Sequence, residues 1–182
     1  MNPPIIVIDN IVTVFGETVI HDHISCSIYE GEIYGIIGGS GSGKSTLLRE
    51  MTLLEYPKSG SITVMGKDLA MLSPQDAQQL RQQWGVLFQS GALFSSLTLG
   101  ENIESLYKEY TSLPTHLIPV LFHLKRTLVG LPSCTRHLLP SHISVAIINR
   151  SAHARSLSLA PILRFLAATN LGLDALSSSP FV

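Results

Sequence analysis

The most specific chemistry in this 182-residue chain lies in one short run. Gly38-Gly39-Ser40-Gly41-Ser42-Gly43-Lys44-Ser45 fits the spacing G-x-x-x-x-G-K-[ST]. Glycines let the main chain turn tightly and bring several N–H groups against one anion. Lys44 adds a mobile positive charge for outer phosphates, and the Ser45 hydroxyl suits Mg²⁺. A helix opening here presents its positive end to the same phosphates. The run reads as a loop that grips the phosphate tail of a nucleotide. By itself it does not separate a small-molecule kinase, a GTPase and a transport ATPase.

Such a loop needs a strand before it and a helix after it. Glu32 to Ile37 is a compact apolar run suited to a buried strand, and Thr46 to Leu54 reads as a helix. Upstream, Ile5–Ile8 and Ile11–Phe15 are β-branched runs that read as two strands joined by a turn at Asp9-Asn10, and Val19–Tyr29 reads as a third. Ser61–Met65 reads as a strand, and Ser73-Pro74-Gln75-Asp76 carries helix-start signals for a helix to Gln83. Gly85–Phe88 is the next buried strand, and Thr98 with Glu101 makes a capping box for a helix through Tyr107. Leu117, Ile118, Leu121, Leu124 and Leu128 have helical spacing with Pro119 inside it, at a cost of about 3 kcal/mol if the helix is continuous. The predicted architecture is a mixed α/β domain with an antiparallel β section at the front.

Composition narrows the classes. Hydrophobic residues are 45% of the chain, which excludes disorder, and a net charge of −1 leaves no electrostatic footprint for nucleic acid. Acids are unevenly placed: of 13 Asp and Glu, Asp174 alone lies beyond residue 110. The stretch Leu117–Leu124 is too short and too polar to span a bilayer, no secretory signal is visible, and Cys26 and Cys134 share no motif. These features point to a cytoplasmic protein.

The order of further motifs carries a family resemblance. Glu30-Gly31-Glu32, the apolar run and GGSGSGKSTLLR together resemble the Walker A region of ABC transporter ATPases. Phe15 falls where that family places an aromatic that stacks on adenine; its other reading is a core Phe. Gly85-Val86-Leu87-Phe88-Gln89 looks like the Q-loop, whose glutamine reaches Mg²⁺ or the attacking water. GVLFQSGALFSSLT followed by KEYTSLP is similar to one branch, the ATPases of Mla-type phospholipid (toluene-tolerance) transporters.

The resemblance implies a P-loop fold of the ABC ATPase type, with a helical subdomain and, in this chain, an incomplete central sheet. Residues 1–96 would be the nucleotide-binding core, 97–156 the helical subdomain and 157–182 a Walker B and D-loop remnant. It implies ATP and Mg²⁺ as cofactors, with Gly38 through Thr46 and Phe15 on ATP and Ser45 and Gln89 on the metal. It also implies a second ATPase subunit, an integral-membrane permease, a site on the inner face of the inner membrane, phospholipid cargo and no nucleic-acid partner.

The second half departs from that family at functional positions. Its Leu-Ser-Gly-Gly signature is replaced by Ile143-Ser144-Val145-Ala146, and a branched Val145 stands where backbone must approach a γ-phosphate closely. After Phe165-Leu166 the family's Asp-Glu is replaced by Ala167-Ala168, which can neither orient a metal nor activate water. Gly172-Leu173-Asp174 keeps the D-loop register, so Asp174 is already assigned. His142 and His153 precede the Walker B position, so neither is the family's switch histidine, and the sequence ends at Val182 before the strands that carry it. Two readings stand together: a transporter ATPase subunit, and a nucleotide-binding remnant without hydrolysis. A small-molecule kinase fits less well, because no second substrate pocket with paired Arg or Asp is visible.

Overall fold

The computed structural model describes residues 3–167. The chain divides into two compact units, Met1–Arg81 and Gln82–Val182.

In the first unit β1 (Pro4–Phe15) and β2 (Thr18–Tyr29) form a long antiparallel hairpin. β3 (Ser59–Val64) pairs with the other edge of β1, and β4 (Lys67–Asp68) completes the order β2-β1-β3-β4. Asp9-Asn10 is not a turn between two strands. It is a bulge within β1: Asn10 takes φ +52, and the pairing with β2 and β3 slips around it. Asn tolerates the left-handed region, and an extra residue absorbed there lets Ile8 and Ile11, three apart, both stay buried. The Asn10 N–H donates to Ser25 Oγ at 2.8 Å, which ties the bulge to β2. Ile62 and Val64 of β3 are buried, as are Leu47, Leu48 and Met51 of α1 (Lys44–Met51).

Glu32–Ile37 is not a strand: every residue from 31 to 40 is exposed, Ile33 and Ile37 completely, and no strand among the described residues pairs with it. Apolar character suits a run to burial, but a buried strand also needs neighbours that take up its N–H and C=O groups. The helix after the loop opens at Lys44, two residues earlier than expected. It stops where Thr52 turns its hydroxyl back to Leu48 O at 2.8 Å and Leu53 takes φ +59. α2 (Pro74–Arg81) starts as its sequence signals require, with the Asp76 N–H donating to Ser73 Oγ at 3.1 Å.

The second unit holds a two-stranded parallel sheet, β5 (Trp84–Leu87) beside β6 (Leu163–Leu166). Trp84 and Phe165 meet edge to face at 5.7 Å. A methyl group on Gly85 would collide with the Ser156 carbonyl, so glycine lets the end of α5 (Val145–Ser156) lie against β5. α3 (Leu99–Tyr110), α4 (Ile118–Leu128) and α5 enclose Ile103, Tyr107, Ile118, Phe122 and Ala154. The Thr98–Glu101 capping box is fully made. Pro119 does not interrupt α4; it lies in the first turn, where its missing N–H has no intrahelical partner to lose. Among the described residues no helix is long and apolar enough to cross a membrane.

Candidate functional site

The glycine run sits where the chain passes from the exposed segment into α1. Gly43 takes φ +88 and stands as the helix N-cap, and no side chain caps the first turn. A helix leaves its first N–H groups without intrahelical partners, so the donors opening α1 are offered beside the loop. Gly41 also has positive φ, and the Ser42 N–H closes a tight turn on Gly39 O at 3.3 Å. A Cβ on Gly38 would stand 2.5 Å from Ser42 Oγ, so a side chain there would require the Ser42 hydroxyl to turn away.

Lys44 is folded over this loop. Its ammonium donates to Gly38 O at 2.7 Å, Gly39 O at 2.5 Å and Ser42 Oγ at 3.1 Å. Ser40 and Ser45 are exposed, and Thr46 is half-buried. The loop thus combines a helix N-terminus that no side chain caps with an ammonium held against its carbonyls. These residues fit a phosphate tail.

Behind the loop lies a buried polar cluster that motif reading does not find. Thr13 of β1, His21 of β2 and Glu50 of α1 are each only 1% exposed. Thr13 Oγ1 donates to Glu50 Oε1 at 2.5 Å, His21 Nδ1 lies 2.9 Å from Thr13 Oγ1 and 3.2 Å from Glu50 Oε2, and His21 Nε2 lies 3.2 Å from Gly43 O. The available signal is periodicity. Thr13 follows Ile11 on the inward face of β1, and Glu50 follows Leu47 at helical spacing on the buried face of α1.

Phe15 is exposed at the end of β1, so its reading as a core residue is set aside. Gln89 is exposed two residues beyond β5. Ala167 leaves β6 at the same carboxyl edge, its N–H donating to Leu87 O at 2.9 Å. Where the resemblance places an acid, the second unit therefore presents a methyl group. Ala168 and Gly172-Leu173-Asp174 lie outside the described residues. Ser144 caps α5, accepting from the Ile147 N–H at 3.4 Å, and Val145 is 71% exposed in the first turn. His142 is exposed, whereas His153 is half-buried on α5, where burial and then the Arg164 charge hold it below the usual histidine range.

Residues 21–166 match the ABC transporter family. The chain belongs to that family. It is similar to the intermembrane phospholipid transport system ATP-binding protein MlaF of Haemophilus influenzae, with 34% identity over 97% of this chain and 67% of that protein. MlaF of Escherichia coli K12 is 33% identical over 92% of this chain and 62% of the relative, so the chain spans about two thirds of the length of either. The fold is that of an ABC ATPase cassette. The dimeric post-hydrolysis cassette MJ0796, solved with ADP and Pi, superposes with a TM-score of 0.87 over 96% of this chain and 78% of its own, at 24% identity. CbiO1 of Clostridium perfringens superposes with a TM-score of 0.80 over 98% of this chain and 70% of its own.

Proposed function

We propose that this chain binds ATP with Mg²⁺ at Gly38–Thr46 and serves as the ATP-binding subunit of a transporter that moves phospholipid within the cell envelope. The observation that carries the reading is the uncapped start of α1 at Gly43 with the Lys44 ammonium held over the same loop. Lys44 would exchange its loop acceptors for phosphate oxygens, and the exposed Ser45 would offer its hydroxyl to the metal. Phe15 would be the further contact, to the base, and the family resemblance alone gives Gln89 a role toward the metal. ATP supplies the free energy of its terminal phosphate bond. Likeness to the MlaF proteins supports the phospholipid cargo. In the same reading the subunit pairs with a second ATPase subunit beneath an integral-membrane permease, on the cytoplasmic face of the inner membrane.

Titration with a fluorescent ATP analogue in Mg²⁺ tests the site. Lys44→Ala removes charge-assisted bonds and should weaken binding about 10- to 100-fold. Equal affinity in the variant would remove the reading.

One observation favours binding without turnover as a second reading. Ala167 follows β6 at its carboxyl edge, where the family resemblance places a carboxylate that would orient metal or water, and alanine can do neither. Phosphate release by the purified chain should then stay at background. Metal-dependent turnover that Lys44→Ala abolishes would restore the hydrolytic reading.

A further inference from the structure

The buried cluster behind the loop is not explained by phosphate chemistry. Burying a carboxylate and an imidazole is costly, and replacing such a pair by apolar side chains of similar size is often neutral or stabilising. Their placement points to a task. The Gly43 carbonyl already accepts the first helical bond, from the Leu47 N–H at 2.9 Å, and His21 Nε2 is its second neighbour. A carbonyl oxygen only accepts, as do Glu50 Oε2 and a Thr13 Oγ1 whose hydrogen goes to Glu50, so the ring makes both sets of bonds with hydrogen on both nitrogens, and the bond to Gly43 is the one that Nε2–H donates. The ring is held in that pose from its other side. Nδ1 faces Thr13 Oγ1 and Glu50 Oε2, and the Thr13 hydroxyl is itself committed to Glu50 Oε1. Steric fit agrees: a Cβ on Gly43 would lie 2.6 Å from His21 Nε2 and 2.8 Å from Ile20 Cγ2. His21 and Ile20 thus wall the glycine whose φ of +88 starts the helix.

We propose that His21, oriented by Thr13 and Glu50, is a positioning residue for the phosphate-binding loop. Its Nε2–H fixes the Gly43 carbonyl, and through it the direction in which the free donors of α1 point. The claim rests on the nucleotide reading of that loop only for its effect on affinity; the mechanical link exists in the chain alone.

The test compares two variants in one apolar background, Thr13→Val/Glu50→Met carrying either His21→Gln or His21→Leu. The glutamine amide places a donor near the Nε2 position and leucine does not, so the two differ chiefly in the bond to Gly43. At matched melting temperature, the leucine form should show about fivefold to tenfold faster exchange of the Leu47 amide and a similar loss of affinity for the fluorescent ATP analogue. The glutamine form should keep both near the values of the unsubstituted chain. Indistinguishable Leu47 exchange in the two forms would overturn the proposal. If the unsubstituted chain does not bind the analogue, the nucleotide reading fails while the exchange comparison still decides the link. If either variant does not fold, the unsubstituted protein decides by NMR. A slowly exchanging imidazole Nε2–H assigned to His21 supports the proposal, and no protected ring N–H at His21 overturns it.

Discussion

At the scale of single residues, Asn102 shows how a side chain substitutes for secondary structure. It is fully buried; its Oδ1 accepts from the Phe94 N–H at 2.7 Å, and its Nδ2 donates to Phe94 O, Leu97 O and Thr98 O at 3.0 Å each. Four contacts hold the loop that connects Gln89 to α3. Asn102→Ala leaves buried backbone groups without partners, and should cost about 2–3 kcal/mol, read as a lower urea midpoint at unchanged m-value. Residues of this kind separate what a sequence discloses from what it conceals. The glycine run was legible because its chemistry is local: eight consecutive residues provide the turn, the ammonium and the hydroxyl. His21 and Glu50 were not. Their meaning depends on contact across 22 residues to Gly43 and, for the Thr13 hydroxyl, across 37 to Glu50.

Elements obey the same division. Capping signals at Ser73 and Thr98 placed α2 and α3, because a cap and its acid lie within one turn. Asp9-Asn10 misled, since a turn and a bulge both call for a residue that tolerates positive φ, and only the pairing of both strand edges distinguishes them. Pro119 misled for a different reason. The apolar spacing from Leu117 suggests that the helix begins before the proline, whereas the chain from Thr115 to Leu117 is a 3₁₀ turn and α4 starts at Ile118. Pro119→Ala should therefore change stability by less than about 1 kcal/mol, in contrast to the roughly 3 kcal/mol of an interior helical proline. Thermal denaturation of the variant is sufficient, and a large gain in melting temperature would show that the proline strains the helix after all.

For the molecule as a whole, the exposed run before the loop is the feature that composition hides. With 45% hydrophobic residues a chain of this length has ample material for a core, yet Ile33 and Ile37 contribute nothing to one. Their apolar pattern was legible; that no strand among the described residues pairs with them was not, because pairing is a property of the assembled sheet. Ile33→Ser/Ile37→Ser should leave stability within about 1 kcal/mol and lower the binding of a hydrophobic dye. A cost of several kcal/mol, of the size seen when core isoleucines are truncated, would mean that the run is packed.

Arg136 ties distant parts of the second unit together. Its guanidinium donates to Glu104 Oε1 at 2.5 Å and lies 5.0 Å over the Phe122 ring, while its carbonyl accepts from the Gly100 N–H and Leu138 O accepts from the Leu99 N–H. The opening donors of α3 are thus satisfied by a strap that follows α4 in the chain. Such a strap forms only after a loop of more than thirty residues has closed, and that closure carries its own entropy. The front of α3 thus combines a local cap at Thr98 with bonds that close over a long loop, whereas its back packs around Tyr107 and Ile118. One continuous helix is therefore fastened at its front by its own cap and by distant residues, while Lys108, Glu109 and Tyr110 at its back lie exposed.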